Sequence, residues 1–516
     1  MRVTFAAVLI TLLFSTSVQA KWQEASSDHF LIYADTSESK LSEFAANLER
    51  FHHAMALAMA LQLDTPSPSN RVTIYVVGNA ARVRKLADDR FAAGFYVPLA
   101  GRSLAVIPDV ASNSRDTPFA TVVLLHEYAH HLLLGAVGLP LPRWMSEGAA
   151  EFYASARFDR DGSVWTGLPA QHRANELFYS REVPVTALFD EEQYRNWKSR
   201  GYDSFYGRSW LLYHYLFFAE ERRGQFSNYA NAMNEGLSSI DAAGRAFGDF
   251  EQLEDDLDDY LKQRLAALRV PPEALGEPTV RIRMLRDGEA KMMSVMVRSK
   301  VGVTREMALD LLPDARKVAE RYGDDPAVLA ALAEAEFDAG YDSEAIAAAD
   351  KAIALDPSQT NAYVQKGFAL FRMARSAEDQ ESAFAMAREP FIQLNAIEHD
   401  HPLPLIYFYR SFAEAGVDPP DLAFDGLVRA AELAPFDISL RMNLGMALLM
   451  HGEPARARPH LLAIARHPHA GRASDAAQAL LDKIDAGQTE FSTSDFGEEE
   501  PDERSEDEET EDGVID

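Results

Sequence analysis

The chain has 516 residues, of which 47% are apolar and 25% charged, a composition that excludes a fibrous or wholly disordered protein and fits two or three globular domains. It carries a net charge of −30 and no cysteine. The acidity argues against nucleic acid or an anionic membrane as partner, and the lack of cysteine excludes both a disulfide scaffold and lipidation at a cysteine.

The first twenty residues read as a secretory signal. Arg2 opens them, an apolar run fills 5–14, and Val18-Gln19-Ala20 ends on a small residue. That run is too short to span a bilayer, and no later stretch is long and apolar enough. The expected mature chain starts at residue 21, lacks a membrane anchor and works in a periplasm or outside the cell.

From residue 21 to 270 the pattern is mixed α/β. Residues 29–33 read as a strand, and Asp35 with Glu38 forms a candidate capping box for the next helix. Leu41, Phe44, Leu48, Phe51 and Met55 then recur at helical spacing. Strands are expected at 71–77 and 102–107, and helices at 118–134, 144–156 and 206–221. The prolines and glycines from Val270 to Pro278 mark a boundary. Residues 271–308 form a linker of uncertain structure, in which Asp287-Gly288 is either a hairpin turn or part of a helix. Residues 309–488 are helical and repetitive. Small residues and prolines recur at roughly 34-residue spacing, the period of tetratricopeptide repeats, and the unit with Gly367 has an irregular second helix over 382–397. Residues 489–516 are expected to be a disordered acidic tail. From Glu490 onward they hold fourteen acidic residues and one arginine.

The chemistry concentrates in the helix expected over 118–134. It contains His126-Glu127-Tyr128-Ala129-His130. Four residues make just over one turn, so both imidazoles leave the same face and can grip one Zn²⁺, with Glu127 beside them as a base. The flanks, from Val122 to Leu125 and from Leu132 to Leu134, are apolar nearly all round. Buried polar groups in such a helix need a compensating partner. The next helix carries Trp144-Met145-Ser146-Glu147-Gly148-Ala149-Ala150-Glu151. Glu147 offers a carboxylate as third ligand, and the small residues after it allow close packing. Glu151, one turn on, can hold the free N–H of a ligating histidine.

These two segments resemble the gluzincin metallopeptidases and, more narrowly, the peptidase MA-like domains. The resemblance is dense over 117–153 and looser over 21–268. It implies an α+β zincin-like catalytic domain over 21–270; the repeat spacing separately leads to an expected all-α tetratricopeptide-repeat solenoid behind it. It implies one zinc per chain on His126, His130 and Glu147, Glu127 as general base, and Glu151 supporting a ligand. Gluzincin aminopeptidases also have a tyrosine about sixty residues beyond the glutamate ligand that donates to the oxyanion. Tyr206 matches that position, Tyr202 is its rival, and an aromatic stripe of Tyr206, Trp210, Tyr213 and Phe217 is the structural alternative. The acid that holds a substrate amine in those aminopeptidases is missing from 102–108, so an endopeptidase is expected. His131 points off the metal face and is read as structural. Trp144 and the strand at 104–107 are candidates to line the substrate groove.

The expected partners are a peptide or protein substrate and a protein held by the repeats. The alternative is a non-enzymatic periplasmic repeat protein with a structural or vestigial zinc site. A zinc hydrolase acting on something other than peptides is a third reading.

Overall fold

The computed structural model describes residues 22–110, 117–136, 141–198, 201–467 and 469–496. The expected signal at 1–20 and the acidic stretch beyond Phe496 lie outside the described residues.

Six strands form the first sheet: β1 (Gln23–Ser26), β2 (Phe30–Ala34), β3 (Val72–Val76), β4 (Phe95–Val97), β5 (Leu104–Ile107) and a late strand, β9 (Arg281–Met284). Their order is β4-β5-β3-β2-β1-β9. The central strands β2, β3 and β5 are parallel, and β4, β1 and β9 join antiparallel. A parallel centre needs cover on both faces, and the chain supplies it. Phe30, Ile32, Ile74 and Ile107 face the long helix α1 (Glu38–Ala58) and the helix α3 (Phe119–Ala136). Tyr75, Leu104 and Val106 face α2 (Ala80–Ala87) and α6 (Asp287–Val301). The expected box at Asp35 does not form. Ser37 takes the N-cap position of α1 without a side-chain cap bond.

A second, all-antiparallel sheet of β6 (Arg157–Phe158), β7 (Val164–Thr166) and β8 (Leu268–Val270) flanks a mostly helical lobe. Two of its main helices, α4 (Arg143–Ala154) and α5 (Phe205–Phe218), pack against each other.

The segment 271–308 is not a linker. It contributes β9 and then α6, whose Met293, Val297 and Val301 cover the sheet while Met292 and Val295 join the core of the following helices. Asp287-Gly288 is the first turn of α6, with Glu289 accepting the Arg286 N–H at 2.8 Å. A Cβ on Gly288 would come within 2.9 Å of Val328, so glycine serves close helix packing here and not a hairpin.

After the helix Arg305–Arg321, four antiparallel helix hairpins begin at Pro326, Thr360, Pro402 and Ile438. The unit with Gly367 is more regular than its sequence suggests. Its second helix runs unbroken over Gln380–Ile397 with Pro390 inside it, and a Cβ on Gly367 would lie 2.4 Å from the Phe391 ring. The last hairpin is α7 (Ile438–Met450) with α8 (Pro454–Ala465), closed by α9 (Arg472–Asp485). Residues 489–496, expected to start the disordered tail, instead pack onto this end. Phe491 and Phe496 meet its core, and Lys483 Nζ lies 3.1 Å from Asp495.

This array folds back onto the first domain. Ala100 belongs to the array's core, and its N–H donates to Asp437 at 2.9 Å. The Arg441 guanidinium donates to the Leu134 carbonyl at the end of α3 (3.2 Å), and the Phe436 ring centroid sits 4.1 Å from that of His131.

Candidate metal centre

α3 is apolar on nearly every face, so its only stable position is inside the protein. There it sets His126 and His130 one turn apart and almost fully buried. α4 crosses beside it, starting after Pro142 and burying Ser146 through Ala154. Gly148 sets how closely α4 approaches α5, because a Cβ there would stand 2.4 Å from the Ser209 carbonyl oxygen. That close packing brings Glu147, fully buried, to the two histidines.

The donor atoms converge. His126 Nε2 lies 3.1 Å from His130 Nε2. Glu147 Oε2 lies 3.3 Å from the first and 3.2 Å from the second. A tetrahedral ion with ligands at about 2.0–2.1 Å has ligand–ligand edges of about 3.3 Å. A fourth group closes the set. His469, from the turn between α8 and α9, brings Nε2 to 3.3 Å from Glu147 Oε1, and the four donors lie within 4.8 Å of one another. Glu147 Oε1 and His469 Nε2 are buried atoms without a hydrogen-bond partner. Such orphans are costly and call for a ligand. Two imidazoles, a carboxylate and a third imidazole form a donor set that suits zinc.

The surrounding residues fix the ligands. Ser146 Oγ lies 3.2 Å from His130 Nδ1. Glu151 Oε1 lies 3.2 Å from His126 Nδ1, at ion-pair distance but off the line of a good hydrogen bond. Both histidines thus turn Nε2 toward the centre. Glu151 is itself held by Arg173, at 2.7 and 3.0 Å, and by His172 at 2.5 Å. Burial alone would raise Glu151, but Arg173 and His126 hold it well below the usual carboxylate range. Glu147 is likewise held low, against burial, by His130 and His469. Burial opposes a proton on His126, yet Glu151 and Glu147 lift it to about 10, so the pocket favours a positive charge at this point.

Glu127 is half-buried on α3 next to His126. Its charge favours protonation of His469, although burial, the larger influence, holds that imidazole below its usual value. Tyr206 sits in the first turn of α5. The Arg173 guanidinium lies 4.7 Å from its ring centroid, and Arg173 also binds Glu176, which accepts the Gly207 N–H. Burial and the charge of Glu147 raise the Tyr206 hydroxyl, opposed by its hydrogen bond with Arg143. Tyr206 therefore adjoins the centre, whereas Tyr202 is 58% exposed. Trp210 and Tyr213 of the expected stripe are core residues.

Two expected groove residues serve elsewhere. Trp144 is fully buried, donates to the Tyr229 hydroxyl at 3.2 Å and packs against Phe189 and Phe247. β5 pairs with β3 and β4 on its two sides, so the edge of the sheet at this end belongs to β4 and not to β5. His131 is held off the metal face by the Tyr96 hydroxyl at 2.5 Å. Sequence reasoning missed Ser146, His172, Arg173, Arg143 and His469. The pair His467-Pro468-His469 was the one visible hint of the last.

Residues 119–236 match a family described as protein of unknown function (DUF1570), and this stretch contains all of the centre except His469. No curated protein matches the chain. Among solved structures, a thermophilic TPR protein of Thermus thermophilus shares 17% identity over 37% of this chain and 94% of its own, with a TM-score of 0.30. MamA shares 17% identity over 36% of this chain and 96% of its own, at a TM-score of 0.28. The MamA fragment 41-end from Desulfovibrio magneticus RS-1 shares 16% over 34% and 92%, at 0.27. At that distance the likeness carries no argument about function.

Proposed function

We propose that the chain is a zinc-dependent peptidase of the zincin type, exported through its N-terminal signal, acting as an endopeptidase on protein substrates. The repeats would hold a protein partner or the substrate itself. One observation carries the reading: His126, His130 and Glu147 meet at tetrahedral-edge spacing around unpartnered buried donors, with a carboxylate, Glu127, adjacent in the chain.

When bound, zinc at this centre would supply a Lewis acid and make water acidic enough to ionise near neutral pH. The rest of the chemistry falls to the chain. Glu127 would take the proton from water and deliver it to the leaving amine. The Tyr206 hydroxyl, kept protonated by burial, would donate to the oxygen of the attacked carbonyl as charge builds there. Glu151, Arg173 and His172 would hold His126 in one orientation and tautomer.

A second reading has one specific observation in its favour. Four protein ligands, His469 included, form a closed set of the kind that structural zinc sites use. In that reading the chain is a binding protein stiffened by the ion. The two are separated by incubating an unfolded protein with the wild type and with Glu127→Gln and mapping the new termini. Both should hold about one zinc per chain, and only the wild type should cut. If neither protein cuts, and His469→Ala with its fourth position open does not cut either, while all hold zinc, the structural reading stands.

A further inference from the structure

We infer that His469 is the fourth protein ligand of the centre, so that the last turn of the helical array closes the metal site and must move away before any other ligand can bind there. The inference rests on the zinc reading of His126, His130 and Glu147.

Three observations bear on it. The first is the reach of the side chain. His469 Nε2 lies 3.3 Å from Glu147 Oε1, and its ring centroid is 5.5 Å from that of His130, edge to face. The second is the state of the atoms. Glu147 Oε1 and His469 Nε2 are both buried and both lack a hydrogen-bond partner, although they face each other across the centre. An imidazole Nε2 and a carboxylate oxygen, buried 3.3 Å apart and not hydrogen-bonded to each other, are both able to ligate a cation placed between them. The third is access. His126, His130 and Glu147 are at most 5% exposed, whereas the His469 side chain is 26% exposed. His469 is therefore the part of the ligand set nearest solvent, and it occupies the vertex that a hydrolytic zinc leaves for water or substrate.

The array is also held so that this closure can be undone as a unit. At the start of α7 its contacts with the first domain include Asp437 to the Ala100 N–H, Arg441 to the Leu134 carbonyl and Phe436 against His131. These polar bonds and the ring contact come with the burial of Ala100 and the packing of Leu134 against the array's core. A displacement that breaks them carries His469 away while α3 and α4 keep the other three ligands. The fit of the repeats to the first domain thus controls whether the fourth position is open.

Cobalt(II) in the full-length chain provides the test, because its visible spectrum reports the ligands directly. The probe is acetohydroxamate, which needs an open coordination position. In the wild type the spectrum should resist acetohydroxamate. In His469→Ala it should change, and the probe should bind about tenfold more tightly or better. His469→Cys provides a readout independent of any loosening caused by alanine. If position 469 reaches the metal, it should show a near-ultraviolet thiolate-to-cobalt band. Identical cobalt spectra and equal acetohydroxamate affinities in wild type and His469→Ala, with no thiolate band in His469→Cys, would overturn the inference. Failure of the peptidase reading looks different. There the cobalt spectra change as expected, but His469→Ala cuts no protein and Glu127→Gln in that background makes no difference.

Discussion

Nδ1 of His126 stands 3.2 Å from Oε1 of Glu151, and the other oxygen of that carboxylate meets His172 at 2.5 Å. A candidate ligand histidine is thus oriented by a carboxylate that His172 and Arg173 hold in place. Glu151→Gln keeps the shape but removes the charge that favours a cation here. Zinc affinity, measured by competition with a chelator, should fall about 10- to 100-fold. An unchanged affinity would remove Glu151 from the centre.

Tyr206 and Tyr202 lie four residues apart but in different surroundings, one beside Arg143, Arg173 and Glu147 and the other exposed. Tyr206→Phe should lower kcat about 100-fold with little change in KM, because the lost donor acts on charge that develops only during reaction. Tyr202→Phe should leave both constants within about twofold. Steady-state kinetics on one peptide substrate checks the pair, and equal effects would show that neither hydroxyl acts on the oxyanion.

Gly148 lets α4 and α5 touch through backbone. An alanine there would place Cβ at 2.4 Å from the Ser209 oxygen and 3.0 Å from Tyr213 Cβ, with backbone as the main obstacle. Gly148→Ala should cost about 2–3 kcal/mol, read from the shift in urea midpoint. It should also weaken zinc binding, since Glu147 is the neighbouring residue. A variant as stable as wild type would mean that α4 has room to slide.

Several histidines are buried neutral, and this makes the fold acid-sensitive. Burial, helped by His29, pushes His52 down to about 3, and burial pushes His214 down to about 4. Each sits inside a hydrogen-bond pair, with Tyr128 at 2.8 Å and Tyr260 at 2.9 Å. In the unfolded chain both take a proton near their usual 6.5. Below that pH the unfolded state binds more protons, so stability falls with pH, by about 2.7 kcal/mol per unit where both groups differ. Glu49 adds to the loss at lower pH. Burial would raise it, but the hydrogen bond and charge of His29 outweigh burial and hold it at about 2, so its contribution disappears as pH falls from 4.5 toward 2. Urea titrations between pH 7 and 4 should show this slope, and His52→Gln should flatten it by about one proton.

The legible parts of this molecule are those whose meaning is local. Helical spacing alone places His126 and His130 on one face, and the small residues after Glu147 announce a close helix crossing. Central strands show as alternating Val, Ile and Phe. Long-range partners leave no such mark. β9 is a short strand of exposed, arginine-bearing residues whose identity comes from pairing with β1, more than 250 residues earlier in the chain. His172 and Arg173 lie in no motif, and their role arises because a short 3-10 turn carries them against Glu151. His469 looks like an ordinary loop histidine because its importance comes from how the array docks, and docking leaves no periodic signal.

The pairing of β9 with β1 has a practical consequence for anyone who wishes to isolate the half that carries the candidate metal centre. A fragment cut at residue 270 would lack the strand that covers β1 and the helix that covers one face of the sheet. It would expose an unpaired strand edge beside bare Tyr75 and Val106, a template for intermolecular association. A soluble fragment should extend at least to Val301, and even then it would carry the raw underside of α6 where the repeats begin.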